Sequence, residues 1–512
     1  MIDFSLPPEV EATRARIRDF VEQRLIPLES DAASFDEHEN IAPELLGRMR
    51  AQAKAEGLWA LGMPKARGGG GFPMTALAVF YEEMNRSIFG PVVFHGAAPD
   101  DGNMRVLNMV GTEAQKTRWL QPIIDGEVQS SFAMTEPDGC GSDPSMTYTK
   151  AERRGNDRWA ITGRKHYITG AGTSKHFILM ARTGEDDRTG LTAFLFHADQ
   201  PGWKIIRRIP IMGPEEHGGH CELEFDGLEV TDDNILMGVG DGLRVTQIRL
   251  GPARLTHCMR WTGMGRRALE IAMAHIEQRR SFGTRLVEKE AVQQLVGQAA
   301  MELEIGRLLT MRAAWLLDQG SLARKEVSMA KIVVADALQK AVDTSLQLLG
   351  AKGYSKDTPV EWMYRYARQA RLVDGASEVH RMVLANFLRR QGRDFFDVEK
   401  FPTMTFKSTK IEKGEGSKLK ISGDLTMHGV TKLVVLDGEL TAEVANPFTA
   451  AKTRGFSGTT TVNRKDYGLT WNKTLEAGGL LVGEDVKVSI EAELVKKDAA
   501  PPAGKTAPPA KK

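Results

Sequence analysis

Three stretches fix the class of fold before anything else in the chain is read. Met264 to Ser281, Ala291 to Leu317 and Lys325 to Leu349 repeat apolar residues at spacings of three and four, so each carries one apolar stripe, as with Ala268, Ile271, Ala272 and Ile276. Helices this long with few internal breakers bury their stripes against one another, which predicts a four-helix bundle over 241–393. A chain of 512 residues is too long for the bundle alone, and two to four domains are expected. Residues 1–130 show helix-type periodicity broken at intervals, as in Val10 to Gln23, and predict a helical domain. Within it Ala98 to Leu107 reads as a loop leading into a helix, and Thr112 with Gln115 has the spacing of a capping box. Residues 131–240 switch to short alternating runs, such as Ile178 to Arg182 and Leu191 to Phe196, and predict a small β-domain.

Chemistry enters at Ser131-Phe-Ala-Met-Thr-Glu-Pro-Asp-Gly-Cys-Gly-Ser-Asp143. An apolar run of strand character stops at Thr135-Glu-Pro137, and Gly139 to Ser142 is small and permissive, so main-chain N–H groups and a hydroxyl can face a ligand closely. Trp159 to Gly170 reads as a hairpin arm ending in an aromatic, a β-branched residue and a hydroxyl, suited to covering a flat ring.

These segments resemble the flavin-cradling parts of the acyl-CoA dehydrogenase family, whose order of helical domain, β-domain and helical bundle matches residues 5–391. The runs Ala98 to Met104, His217 to Glu222, Leu250 to Arg260 and Arg371 to His380 are similar to its branch of mammalian members ten and eleven. The resemblance implies FAD, an acyl-CoA substrate, an electron-transferring flavoprotein as partner, and a homodimer or homotetramer. It assigns Phe132, Met134, Thr135, Gly141 and Ser142 to the isoalloxazine and ribityl part of FAD, with Tyr167, Ile168 and Thr169 over one ring face. Arg279, Phe282, Gln347 and Gly350 go to the adenine and pyrophosphate end, across a subunit interface as in relatives, and Ala376 and Glu378 lie towards the flavin. Ser142, Arg254 and Gly375 go to the substrate, Arg254 along the CoA arm. The catalytic base is Asp374, where most of the family has the longer glutamate. Glu378 is the nearest substitute, and Ala253, at another family position for the base, takes no proton. Desolvation between flavin and thioester is expected to raise the Asp374 pKa.

Other signals read as structure. Gly238-Val-Gly-Asp-Gly242 lacks a surrounding βαβ unit, so no Rossmann site is expected. Glu215, Glu216, His217, His220 and Cys221 lack a second ligand group at a defined spacing, and no metal is expected. Lysine and arginine number 68 against 67 acidic residues, a net charge of +1, which argues against nucleic acid. Cysteines 140, 221 and 258 are too few and scattered for a disulfide framework. With no apolar run of spanning length and no leader-like start, a cytoplasmic protein is expected.

Beyond the bundle, Phe401 to Lys410, Leu419 to Gly429 and Val486 to Leu494 alternate strictly and predict strands with one buried face. With Arg464-Lys-Asp-Tyr-Gly468 they resemble the second half of the YceI-like family of lipocalin-like barrels, so an incomplete antiparallel barrel is expected over 394–497, with an isoprenoid or other lipid as implied ligand. The abrupt join at Leu388 to Pro402 has the character of a gene fusion, and residues 498–512 form a Pro/Ala/Lys tail expected to be disordered. The fold class is thus multidomain α+β, an acyl-CoA dehydrogenase fold plus a partial barrel. Two rival functions stay open: a flavin oxidase of the same superfamily acting on acyl-CoA or nitroalkanes, which re-oxidises rapidly in air, and a lipid carrier working through its C-terminal half, which would purify colourless.

Overall fold

The computed structural model describes residues 5–186, 189–391, 401, 403–445, 452–469 and 484–495. The predicted tail, and residues 392–400 at the join, lie outside them. The chain divides into two compact units, 1–385 and 386–512.

In the first unit the N-terminal helices α1 (Pro8–Phe20), α2 (Pro43–Ala55), α3 (Met74–Met84) and α4 (Asp100–Val110) precede a seven-stranded sheet. The predicted loop over 98–107 is thus already helical from Asp100. The Thr112–Gln115 capping box forms in both directions, each side chain accepting from the other residue's main-chain N–H. Short apolar runs become β1 (Ser130–Ala133), β2 (Lys150–Arg154), β3 (Arg158–Thr169), β4 (His176–Arg182), β5 (Leu191–His197), β6 (Trp203–Arg208) and β7 (His220–Thr231). β1 runs parallel to β4, β5 is antiparallel to β4, and β3 lies between β2 and β7 with antiparallel pairing to both. β4 and β5 are buried along almost their whole length, which is why they read as apolar runs.

The bundle consists of α5 (Gly242–Gln278), α6 (Glu290–Asp318), α7 (Arg324–Leu349), a short α8 (Val360–Ala367) and α9 (Ser377–Gln391). The helix expected over 264–281 begins far earlier and stops at Gln278, because Arg280–Ser281 turns into a small hairpin with Thr284–Arg285. α5 passes through Pro252 without breaking, since burial of Val245, Thr246, Arg249, Ala253 and Leu255 on either side outweighs the lost main-chain bond. One core unites α1–α3 with α5 and α7 through residues such as Phe20, Phe80, Trp261 and Leu338.

Helices of the two ends are also tied by charge. Glu83 on α3, with no exposed surface, takes Arg14 (3.0 Å) and Arg18 (2.9 Å) from α1 and Arg266 (3.3 Å) from α5. The hydrogen bonds and positive charge of these arginines outweigh burial and bring its carboxyl down to about 2.

The second unit is an antiparallel six-stranded sheet. Strands Thr405–Lys413, Lys418–Met427 and Val430–Leu440 form a meander, followed by Val444–Ala445, Lys452–Asn463 and Asp485–Val495. Leu425, Met427, Val462, Tyr467 and Val488 form its core. The strand Thr405–Lys413 ends the sheet order, with a bulge between Ser408 and Lys410 and exposed Lys407, Lys410 and Lys413. Among the described residues no helix is long and apolar enough to cross a membrane.

Candidate functional site

The end of β1 and the arm of β3 are locked together by a buried ion pair. Lys165 Nζ lies 2.7 Å from Glu136 Oε1 and donates to Met134 O at 3.0 Å, while Glu136 accepts the N–H groups of Tyr148 and Thr149 at 2.7 and 3.0 Å. Burial opposes both charges and lowers the Lys165 pKa; for Glu136 the lysine and its donors outweigh burial and lower the carboxyl. The β3–β7 ladder slips between Lys165 and Ile168, and this bulge turns Tyr167 outward at φ 51° with 55% of its surface exposed. Lys165 points in and Tyr167 points out. Ile168, assigned to the ring face, has its side chain in the sheet core beside Cys221, so it can offer only main chain to a ligand.

The loop after Thr135 fits a cofactor that takes main-chain hydrogen bonds. Among the described residues no acceptor pairs with the N–H of Gly141 or Ser142. A Cβ built on Gly141 would meet nothing within 4 Å, and both residues are exposed. Met134 is buried, and Phe132 lies under the Arg249 guanidinium at 4.6 Å. Thr169 Oγ1 pairs with His220 Nδ1 at 3.0 Å.

Asp374 sits in the turn before α9 at φ 53°, followed by Gly375 at φ 96°. A left-handed conformation in a residue with a Cβ is a strain that surrounding contacts must hold, and two side chains do so. Arg254 Nε donates to Asp374 O at 2.7 Å, and the fully buried Lys331 Nζ donates to Ala370 O at 2.7 Å. Arg254 therefore braces the turn, which the reading along a CoA arm did not anticipate. The Asp374 side chain is 17% exposed, with Arg249 Nη1 3.8 Å from Oδ1 and His257 Nε2 3.4 Å from Oδ2. Oδ2 is closed to solvent and has no aligned hydrogen-bond partner.

The rise in pKa expected between flavin and thioester is not the shift of the ligand-free protein. Burial favours the neutral acid, but the positive side chains around it, His257, Arg249, Arg254 and Lys331, outweigh burial and hold the carboxyl below the ordinary range. Burial and then Arg260 drive His257 itself down to about 3, so at neutral pH the three fixed cations carry the effect. Glu378 is 68% exposed and paired with Arg371 (3.3 Å) and Arg381 (3.4 Å).

Asp374, Thr169 and Gly170 line one cavity of about 170 Å³, whose wall is apolar at Ile88, Phe89, Val92 and Met264 and polar at Glu216, His220 and Gln369. Within that wall His220 Nε2 lies 2.8 Å from Glu216 Oε2, and Gln369 Nε2 donates to Glu216 Oε1 at 3.2 Å. Burial opposes this pair, yet its mutual attraction raises His220 and lowers Glu216. Sequence reasoning missed Arg249, His257, Arg260 and Lys331. Arg249, His257 and Arg260 share one side of α5, the side that also carries Ala253, and that spacing was a signal for these three; Lys331 on α7 had none.

The remaining assigned residues lie elsewhere. Arg279 is the exposed residue after α5, Phe282 is 97% exposed on the hairpin, and Gln347 and Gly350 are exposed at the end of α7. Ile276 and Leu348 pack together, which brings these two ends to one place. Arg279 is twenty-five residues beyond Arg254 on α5, about 38 Å at a helical rise.

Family models of the acyl-CoA dehydrogenase N-terminal, middle and C-terminal domains match residues 7–127, 131–228 and 240–388, and a YceI-like domain model matches 386–494. Acyl-CoA dehydrogenase family member 11 of Gallus gallus is 36% identical over 387 residues, covering 73% of this chain and 49% of its own length. The chain thus spans about half the length of the first curated relatives it matches. The acyl-CoA dehydrogenase homologue FadE2 of Mycobacterium tuberculosis is 35% identical over 393 residues, 74% of this chain and 95% of its own. A solved structure of an acyl-CoA dehydrogenase homologue from Mycobacterium abscessus is 34% identical, superimposes with a TM-score of 0.71, and covers 76% of this chain and all of its own. With its three domains present in order and a relative matched almost end to end, the chain belongs to the acyl-CoA dehydrogenase family.

Proposed function

We propose that the chain is an FAD-dependent oxidoreductase that desaturates an acyl-CoA thioester between Cα and Cβ and passes electrons to an electron-transferring flavoprotein. One observation carries the reading: a carboxylate with a solvent-excluded oxygen that accepts no hydrogen bond, held at a strained φ, lines a cavity together with the end of the hairpin arm. Asp374 Oδ2 takes the α-proton. The nearby positive side chains keep it ionised beforehand, and as burial deepens around an acyl chain its proton affinity rises. The FAD, when bound, supplies the acceptor for the hydride from Cβ. Gly141 and Ser142 offer it main-chain N–H groups and Tyr167 an aromatic face.

Arg279 lies about 38 Å along α5 from Arg254, and Phe282, Gln347 and Gly350 lie at that same end of the bundle, so we assign these four to the adenine end of a cofactor held by a second copy of the chain. Anaerobic titration of the oxidised flavin band with acyl-CoA thioesters tests the function. Bleaching that survives admission of air supports the dehydrogenase over an oxidase. The polar wall of Glu216, His220 and Gln369 favours thioesters with a polar substituent on the acyl chain, which the same titration ranks against unsubstituted ones.

Two further outcomes follow. Deleting residues 394–512 leaves flavin content and thioester-dependent bleaching intact, because every assigned residue lies in the first unit; loss of flavin on truncation would count against this. Arg254→Ala lowers kcat as well as raising KM, since it releases the Asp374 carbonyl; an effect on KM alone would restore the arginine to the CoA arm.

A further inference from the structure

The assigned base is one methylene shorter than a glutamate, and the side chain in front of it cannot move aside. The His257 ring stacks on Trp261, centroids 4.9 Å apart and 27° between planes. Its Nδ1 lies 3.1 Å from Arg260 Nη2, and Arg260 is anchored in turn by donation to Gly96 O. A guanidinium only donates, so Nδ1 is the acceptor and the neutral ring carries its proton on Nε2. That Nε2–H edge stands 3.4 Å from Asp374 Oδ2. On the other side the Asp374 backbone is fixed by Arg254 and the turn by Lys331. A carboxylate reaching further along the Oδ2–Nε2 line by one carbon–carbon bond, about 1.5 Å, would enter the volume of the ring.

We propose that His257 is a positioning residue that restricts this site to aspartate: its ring fills the space a longer carboxylate needs, and its Nε2–H faces the oxygen left free to take the proton. The inference rests on Asp374 being the base. It also accounts for the departure from glutamate within this chain, by a side chain on α5 and not by the turn itself.

Flavin content and thioester bleaching of the full-length holoprotein are read on four variants. Asp374→Asn comes first: near-native bleaching there removes the base reading itself, and the remaining outcomes apply with that variant inactive. Asp374→Glu slows bleaching about tenfold or more, because the ring displaces the longer side chain from its productive position. In Asp374→Glu with His257→Ala the ring is gone, and the rate recovers about tenfold over the single variant. His257→Ser replaces the alanine if that double variant takes up no flavin. An Asp374→Glu enzyme as fast as the native one overturns the proposal, and so does a double variant no faster than Asp374→Glu. His257→Phe keeps the ring but loses the N–H. A donor facing a carboxylate favours its charged form, so the acid limb of kcat/KM moves to higher pH while KM stays within about twofold. The other charged or titratable groups facing Asp374, namely Arg249, Arg254 and Cys258 on α5, Lys331 on α7 and His380 on α9, keep their side chains in that variant. An unmoved limb with unmoved kcat shows that the imidazole has no part in placing the base.

Discussion

Replacing Asp374 by asparagine is expected to slow reductive bleaching by at least ~10²-fold while FAD content and thioester binding persist. Asparagine has nearly the same shape, so the turn braced by Arg254 and Lys331 keeps its form and only the proton acceptor is lost. Glu378→Gln, by contrast, alters a surface carboxylate between Arg371 and Arg381 and leaves the rate near native. The opposite pattern, with the asparagine variant active and the glutamine variant dead, would transfer the role to Glu378. Because its cationic neighbours hold Asp374 low in the free protein, the acid limb of kcat/KM is expected below the ordinary carboxylate range, and the limb of kcat above it once a thioester has deepened its burial.

Glu83→Ala is expected to cost about 3–5 kcal/mol of stability, the range for removing one partner of a buried ion pair. Its carboxylate has no exposed surface, and without it Arg14, Arg18 and Arg266 converge on α3 with their shared counter-charge gone. The effect has a defined pH window. The folded carboxyl titrates at about 2 against an ordinary 4.5, so its contribution is complete above 4.5 and disappears as pH falls through 2. Melting temperatures of the two proteins should therefore differ most at neutral pH and converge on acidification. A gap that stays constant down to the acid transition would show that packing, and not the charge, is what the substitution removes.

How much of this was legible in sequence depended on whether burial could be inferred from residue type. The bundle was, because its stripes are apolar, and so was the Thr112–Gln115 cap, which depends on local spacing alone. The start of the bundle near 241 was legible too, although Gly251-Pro252 is a local signal for a break that tertiary contacts on both sides overrule. Asp374 was found through the resemblance, but its neighbours were not. Arg249, His257, Arg260 and Lys331 are residue types that usually mark a solvated face, and nothing local distinguishes a buried arginine from an exposed one. The downward shift of Asp374 in the ligand-free protein was not foreseen for the same reason. Desolvation can be guessed for any site between ligands, whereas three converging cations have to be seen.

The outermost strand of the C-terminal sheet bears on how this protein behaves in a crowded solution. An open margin of main-chain donors and acceptors is a template on which another copy can add, and growth of that kind has no natural stopping point. Among the described residues Thr405–Lys413 offers such a margin but interrupts it with an irregular step after Ser408 and a lysine on either side of it, at 407 and 410, with a third at 413. An incoming identical strand would find its ladder out of step and like charges gathered along one line. Both features oppose the addition of a further copy along this strand.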